Sequence, residues 1–295
     1  MTVQRQRRGG AGFAGAVVTG VTGVTAAGVT AAVAVVGVLV AGCGADGPSG
    51  AGGPGAATAE PGQVVARAAD ALVAARSSKT STSMEVAAGG TRVTIRGEGV
   101  YDFTRRMGQL KVVLPKDAAG AEEHRPITEL LAPGALYMKN RGAGVPVDKW
   151  VRVDTATLPD GNLVTGGVTD PMVAAELLRG TGAVTYLGEE DLAGVRVRHY
   201  RGTADIPRAA VAAGPHARGS LAAAAKGFGR EKGAVPYDAY FDAQGLLRKV
   251  RQHFSYVNEG RTVAVASTTL LYGFGVPATV RLPAERDIYA GKIES

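Results

Sequence analysis

The chain changes its hydrophobic rhythm along its length. Between Gly9 and Gly42 there is no charged residue. Over 63–75 the apolar positions fall into two adjacent rows at spacing four, Val64, Ala68, Leu72 and Val65, Ala69, Val73. That pattern predicts a helix with a wide apolar stripe, and Gln63, Arg67, Asp70 and Arg76 fall mostly outside it. From Thr80 the period becomes two. Val93, Ile95, Gly97, Gly99, Tyr101 and Phe103 share one parity, and Arg96, Glu98 and Asp102 the other. Such alternation predicts strands with one buried face.

Further strands are expected over 110–114, 127–131 and 135–139. The last two flank Ala132-Pro133-Gly134, a hairpin signal. Another short strand covers 150–153. Thr169-Asp170-Pro171 predicts a helix start, with a capping side chain and Pro at the first helical position, running to Leu178 and closed by Gly180. Strands resume over 183–187 and 195–203. The Ala-rich stretch 208–229 is expected to be partly helical, broken at Gly214-Pro215. Strands over 237–241, 246–257 and 261–274 complete the pattern. Neighbouring strands joined by short turns predict an α+β fold, an antiparallel sheet with helices packed on one face.

The amino terminus adds an address. Arg5, Arg7 and Arg8 precede the uncharged run, which ends in Leu39-Val40-Ala41-Gly42-Cys43, and Cys43 is the single cysteine. This arrangement resembles a bacterial lipoprotein signal with its lipobox. The resemblance implies cleavage before Cys43, diacylglycerol on its thiol, and anchoring on the extracytoplasmic face of the cell membrane. An ordinary secretory signal or a transmembrane anchor is the alternative. Arg7-Arg8 also fit a twin-arginine export signal, although Gly9-Gly10-Ala11 lack the usual apolar pair. The expected organisation is a signal peptide over 1–42, a Gly/Pro/Ala linker over 43–61 and one domain over 62–295.

Without the signal, 30 Lys and Arg face 26 Asp and Glu, a net charge of +4 against +7 for the whole chain. That mild excess suits an anionic membrane or wall surface and does not suggest nucleic acid. With Cys43 modified, no thiol remains for a disulfide, so the fold must stand on its core.

Several segments also resemble the LppX/LprG-type actinobacterial lipoproteins, relatives of the LolA/LolB carriers. They are the acidic hairpin from Tyr186 to Tyr200, the stretch from Tyr237 through Asp242 and Gly245 to Val250, Gly99-Val100-Tyr101-Asp102, Ala135–Lys139, and Lys149-Trp150-Val151. The resemblance implies a strongly curved antiparallel sheet, an unclosed β-barrel, with helices on its concave side. Between them it implies an apolar cavity for acyl chains. It also implies two functions: a carrier or binder of acylated, hydrophobic ligands, or a cell-envelope sensor or protein-interaction module without a stable ligand. The residues expected to line the cavity are Ile95, Tyr101, Leu110, Val112, Leu136, Met138, Val197 and Phe241, chosen because they alternate with polar neighbours. The same alternation fits plain core packing.

Enzyme chemistry is not expected. His124, His199, His216 and His253 lack metal-ligand spacing. His199 and His253 fall in predicted strands, where a hydrogen-bonded structural role is the simplest reading. Glu189-Glu190-Asp191 fall in a predicted turn and are expected to be solvated. No Gly-x-Ser-x-Gly elbow exists. Gly10-Ala11-Gly12-Phe13-Ala14-Gly15 spells a dinucleotide fingerprint, but inside the export segment and after no strand. No cofactor or metal is expected. The expected partners are the membrane, a lipid or acylated ligand, and an envelope protein.

Overall fold

The computed structural model describes residues 60–88, 90–114, 125–141, 144–165, 168–258 and 261–291. The expected export segment, Cys43, the expected linker up to residue 59 and His124 lie outside the described residues. In chain order the elements are α1 (Pro61–Ala66), α2 (Ala68–Ala75), β1 (Ser77–Ala88), β2 (Thr91–Asp102), β3 (Met107–Val113), β4 (Ile127–Ala132), β5 (Ala135–Lys139) and β6 (Trp150–Asp154). Then follow α3 (Pro171–Leu177), β7 (Thr181–Leu192), β8 (Val195–Asp205), α4 (Ile206–Ala212), α5 (Pro215–Lys232), β9 (Ala234–Phe241), β10 (Leu247–Asn258) and β11 (Arg261–Tyr272).

All eleven strands form one antiparallel sheet in the order β6-β5-β4-β3-β2-β1-β11-β10-β9-β8-β7. Two meanders, β1 to β6 and β7 to β11, run outward from a central seam where β1 pairs with β11. The outer strands β6 and β7 do not meet, so the sheet stays open. A twisted sheet this wide curls, and the curl gives it a concave side.

The chain must travel from one outer edge to the other between β6 and β7. That crossing carries irregular stretches over 158–165 and 168–170, and α3. It packs on the inner face together with α2, α4 and α5, where Leu163, Val168, Met172, Leu177, Ile206, Leu221 and Phe228 join one continuous core. The helices thus lie on one side of an open antiparallel sheet, as the alternation predicts.

Local differences have local causes. The helix expected over 63–75 is two helices, because Arg67 sits at φ −86°, ψ 1° between them. Val65, Ala68, Ala69 and Leu72 are its buried residues, on the predicted stripe. The helix over Pro171–Leu177 forms as expected. Asp170 accepts the amides of Met172 and Val173, and a 3₁₀ turn ends at Gly180. The break at Gly214-Pro215 separates α4 from α5. Glu189-Glu190-Asp191 do not form a turn: they end β7, and the turn falls at Ala193-Gly194, both with positive φ. The three acids stay exposed on the edge strand, so pairing with β8 leaves them in solvent as expected.

A small second cluster lies on the outer face. Met107, Leu130, Ala135, Tyr137 and Val280 bury one another there. The carboxy-terminal stretch runs over this face and adds to the β6 edge, with Ile288 bridged to Trp150 and the Tyr289 amide donating to the Trp150 carbonyl at 2.8 Å.

Candidate functional site

The strand register builds a row across the inner face of the first meander. Gly99 pairs with Leu110, Leu110 with Glu129, Glu129 with Met138, and Met138 with Val151. The neighbouring rows bring Val112 beside Ile127 and Leu131 beside Leu136. Gly99 is required by close approach, since a β-carbon there would collide with the Gln109 carbonyl of β3. Four of the expected lining residues, Leu110, Val112, Leu136 and Met138, are therefore gathered in one patch.

At its centre stands a residue the sequence reading passed over. Glu129 shares the inner parity of Ile127 and Leu131 and is fully buried. Neither carboxyl oxygen has a hydrogen-bond partner among the described residues. The Arg141 guanidinium lies 3.9 Å away, at ion-pair rather than hydrogen-bond distance. Burial pushes the Glu129 carboxyl from 4.5 up to about 8, with Arg141 acting in the opposite direction. Its signal was available in the sequence: an acid on the apolar parity of a strand.

The other expected lining residues lie elsewhere. Ile95 is partly buried against the main core. Tyr101 and Phe241 are fully buried within it. Val197 is also buried, but it shares the parity of His199, on the opposite face of β8 from Tyr200. That parity cannot be assigned to a face from β8 alone. It becomes clear only when the pairing with β9 is fixed.

The apolar patch is covered, not open. A β-carbon at Gly97 would lie 3.0 Å from Val168 Cγ1 and 3.4 Å from Leu110 Cδ2, so the irregular crossing rests directly on the sheet. Asp160 holds that crossing in shape by accepting the amides of Asn162, Val164 and Thr165. At its edge a recess of about 370 Å³ opens to solvent, lined by Pro159, Asp160, Val164, Thr165, Gly227, Phe228 and Tyr256. Phe228 there meets Phe254 and Tyr256 of β10 at 5.8 and 6.2 Å between ring centres. Just beyond, Gly229 at φ 66° breaks the helical path of α5, a conformation that favours glycine.

The seam of the sheet is polar on the inside. Ser78, Thr80 and Thr82 of β1, Ser267 and Thr269 of β11 and Gln252 of β10 are all buried. Part of this stripe anchors the cover: the Gln252 amide donates to the Ala174 carbonyl at 3.0 Å, and the Thr169 and Ser267 hydroxyls lie 2.7 Å apart. A cavity of about 20 Å³ lies at another margin, among Tyr101, Arg106, Asp170, His216 and Ser220. Its size suits one water molecule. Burial raises Asp170 to about 6 and lowers His216 from its ordinary value.

On the outer face His199 is hydrogen-bonded, as expected for a structural histidine. Nδ1 lies 2.6 Å from Glu190 and Nε2 2.6 Å from Asp238, and the ring stacks on Tyr240 at 4.2 Å. His253 is exposed on β10. Among the described residues no group of three metal-ligating side chains occurs.

No protein-family model and no curated protein matches the sequence. Solved structures similar to it include the lipoprotein LppX of Mycobacterium tuberculosis, at 11% identity and a TM-score of 0.41, covering 75% of this chain and 97% of that one. LprF of Mycobacterium bovis is similar at 13% identity and a TM-score of 0.37, covering 76% and 97%. A LolA superfamily protein of Nitrosomonas europaea is similar at 11% identity and a TM-score of 0.33, covering 72% and 94%.

Proposed function

We propose that the chain is a lipoprotein, anchored through Cys43 on the extracytoplasmic face of the cell membrane, that binds a hydrophobic, acylated ligand without covalent chemistry. One observation supports the reading: the recess is lined by Val164 and Phe228, which belong to the same core as the apolar inner face, and Val168 of an irregular crossing rather than a strand lies there against Gly97 and Leu110. Displacing Val168 would open Leu110. An acyl chain taking its place restores the burial, at about 25 cal/mol per Å² of apolar surface. The domain over 62–295 forms the binding body, and the 43–61 linker tethers it to the bilayer.

The test is lipid analysis of the protein purified from its native membrane, together with displacement of a fluorescent fatty acid. Co-purified acyl lipid and saturable displacement are expected. A protein that carries no lipid and does not bind the probe overturns the carrier reading.

A second reading, an interaction module, is favoured by the β7 edge. Among the described residues that strand pairs only with β8, and beyond Val184, where Gly62 of α1 packs, its Tyr186 and Leu187 are each 45% exposed. An open edge can accept a strand from another protein.

A further inference from the structure

A carboxyl group buried among strands with no hydrogen-bond partner destabilises the fold by roughly 1–3 kcal/mol or more. Replacing it with leucine would remove that cost and lose nothing the folded chain uses. Glu129 is such a group: fully buried, without a hydrogen-bond partner among the described residues, and flanked across the sheet by Leu110 and Met138. The Arg141 guanidinium approaches from one side only, at 3.9 Å. Glu129 shares the inner face with Leu110 and Met138, so a partner for its carboxyl would approach from that face.

We infer that Glu129 is the recognition point for the head of a neutral, hydroxyl-bearing acyl lipid. The inference rests on the carrier reading and narrows its ligand class. A protonated carboxyl donates one hydrogen bond and accepts others, and a hydroxyl does the same, so the two satisfy each other reciprocally. An acidic head would carry a formal charge into the same apolar surround that keeps the Glu129 carboxyl neutral. An ammonium head would need a separated charge pair within apolar strands, where Arg141 already stands at ion-pair distance. A lipid with glycerol hydroxyls on one acyl chain meets the requirement, its chain lying along Leu110, Val112 and Met138 towards the recess at Val164.

The experiment uses the full chain in membranes. Photoactivatable, alkyne-tagged analogues of monooleoylglycerol and methyl oleate carry the same acyl chain, one with hydroxyls and one without. Each is cross-linked to the wild type, Glu129→Leu and Glu129→Gln. The wild type is expected to favour the monooleoylglycerol probe about tenfold, the value of one well-made hydrogen bond. Glu129→Leu is expected to lose that preference while keeping the methyl oleate signal, and Glu129→Gln to keep part of the preference. Peptide mapping should place the cross-link in β4 or β5. A wild type labelled equally by both probes, or a preference unchanged in Glu129→Leu, overturns this inference and leaves the carrier reading standing. A wild type labelled by neither overturns both.

Discussion

The hydroxyl of Tyr101, on strand β2, donates to Asp170 Oδ2 at 3.1 Å, and Asp170 Oδ1 caps helix α3 by accepting the Met172 and Val173 amides. One carboxylate thus fastens the crossing to the sheet and starts the helix. Tyr101→Phe is expected to destabilise the fold by about 1–3 kcal/mol, because it leaves a buried acceptor short of a partner. Urea denaturation of the variant measures it. An unchanged midpoint would show that the contact holds nothing together.

Arg179 joins two helices. Its Nη2 meets Asp70 of α2 at 2.6 Å and its Nε meets Glu176 of α3 at 2.7 Å. The two acids are not equivalent: the Asp70 side chain is 64% exposed and that of Glu176 only 2%. Asp70→Ala is therefore expected to cost about 1 kcal/mol or less. Arg179→Ala takes the guanidinium from a buried carboxylate and is expected to cost roughly 2–3 kcal/mol, below the range of a fully buried pair because Arg179 is itself partly solvated and Glu176 keeps the Gly214 amide and His216 beside it. Equal losses in the two variants would contradict this ranking.

Bulk added at two valines separates the filled patch from the recess. Val112 is fully buried opposite Gly97, so Val112→Trp is expected to cost about 1–3 kcal/mol by overpacking. Val164 borders the 370 Å³ recess but is itself buried in the core, so Val164→Trp is expected to cost less stability than Val112→Trp and to weaken binding of a fluorescent fatty acid. Both variants are read by thermal melting and probe titration. A Val164→Trp protein that binds the probe as the wild type does would remove the recess from the ligand path.

The buried acid also sets a pH dependence. Below about 4.5 Glu129 is protonated in both folded and unfolded chains. Between 4.5 and about 8 the unfolded chain releases the proton and the folded chain keeps it. Stability therefore falls as pH rises through that window, by up to about 1.4 kcal/mol per pH unit from this group, and levels above it. Asp170, raised from 3.8 to about 6, acts in the same direction at its own lower window. Glu129→Gln should flatten the slope between pH 6 and 8 in denaturant titrations. Parallel profiles for wild type and variant would disprove the assignment.

The anchor has its own test. Cys43→Ser is expected to abolish metabolic labelling of the chain by a fatty-acid analogue and to release the processed protein from membranes. Persistent labelling would rule out Cys43 as the acylated residue.

The sequence by itself determined the local elements. Period-two alternation, the Pro-Gly hairpin at 133–134, the Asp170-Pro171 helix start and the Gly214-Pro215 break each act through neighbours a few residues away, and each appears where expected. It also showed which residues share a parity along each strand, and Leu110, Val112, Leu136 and Met138 fall on one face of the sheet. Only the tertiary structure decided what that surface meets. The sequence around Val168 has no repeating pattern, and its place over Gly97 and Leu110 follows from the chain having to cross between the outer strands β6 and β7. Likewise an acid on strand β4 reads as one polar residue among apolar neighbours. That Glu129 is sealed in without a hydrogen bond depends on β3 and β5 closing on either side, contacts set by register rather than by any local signal.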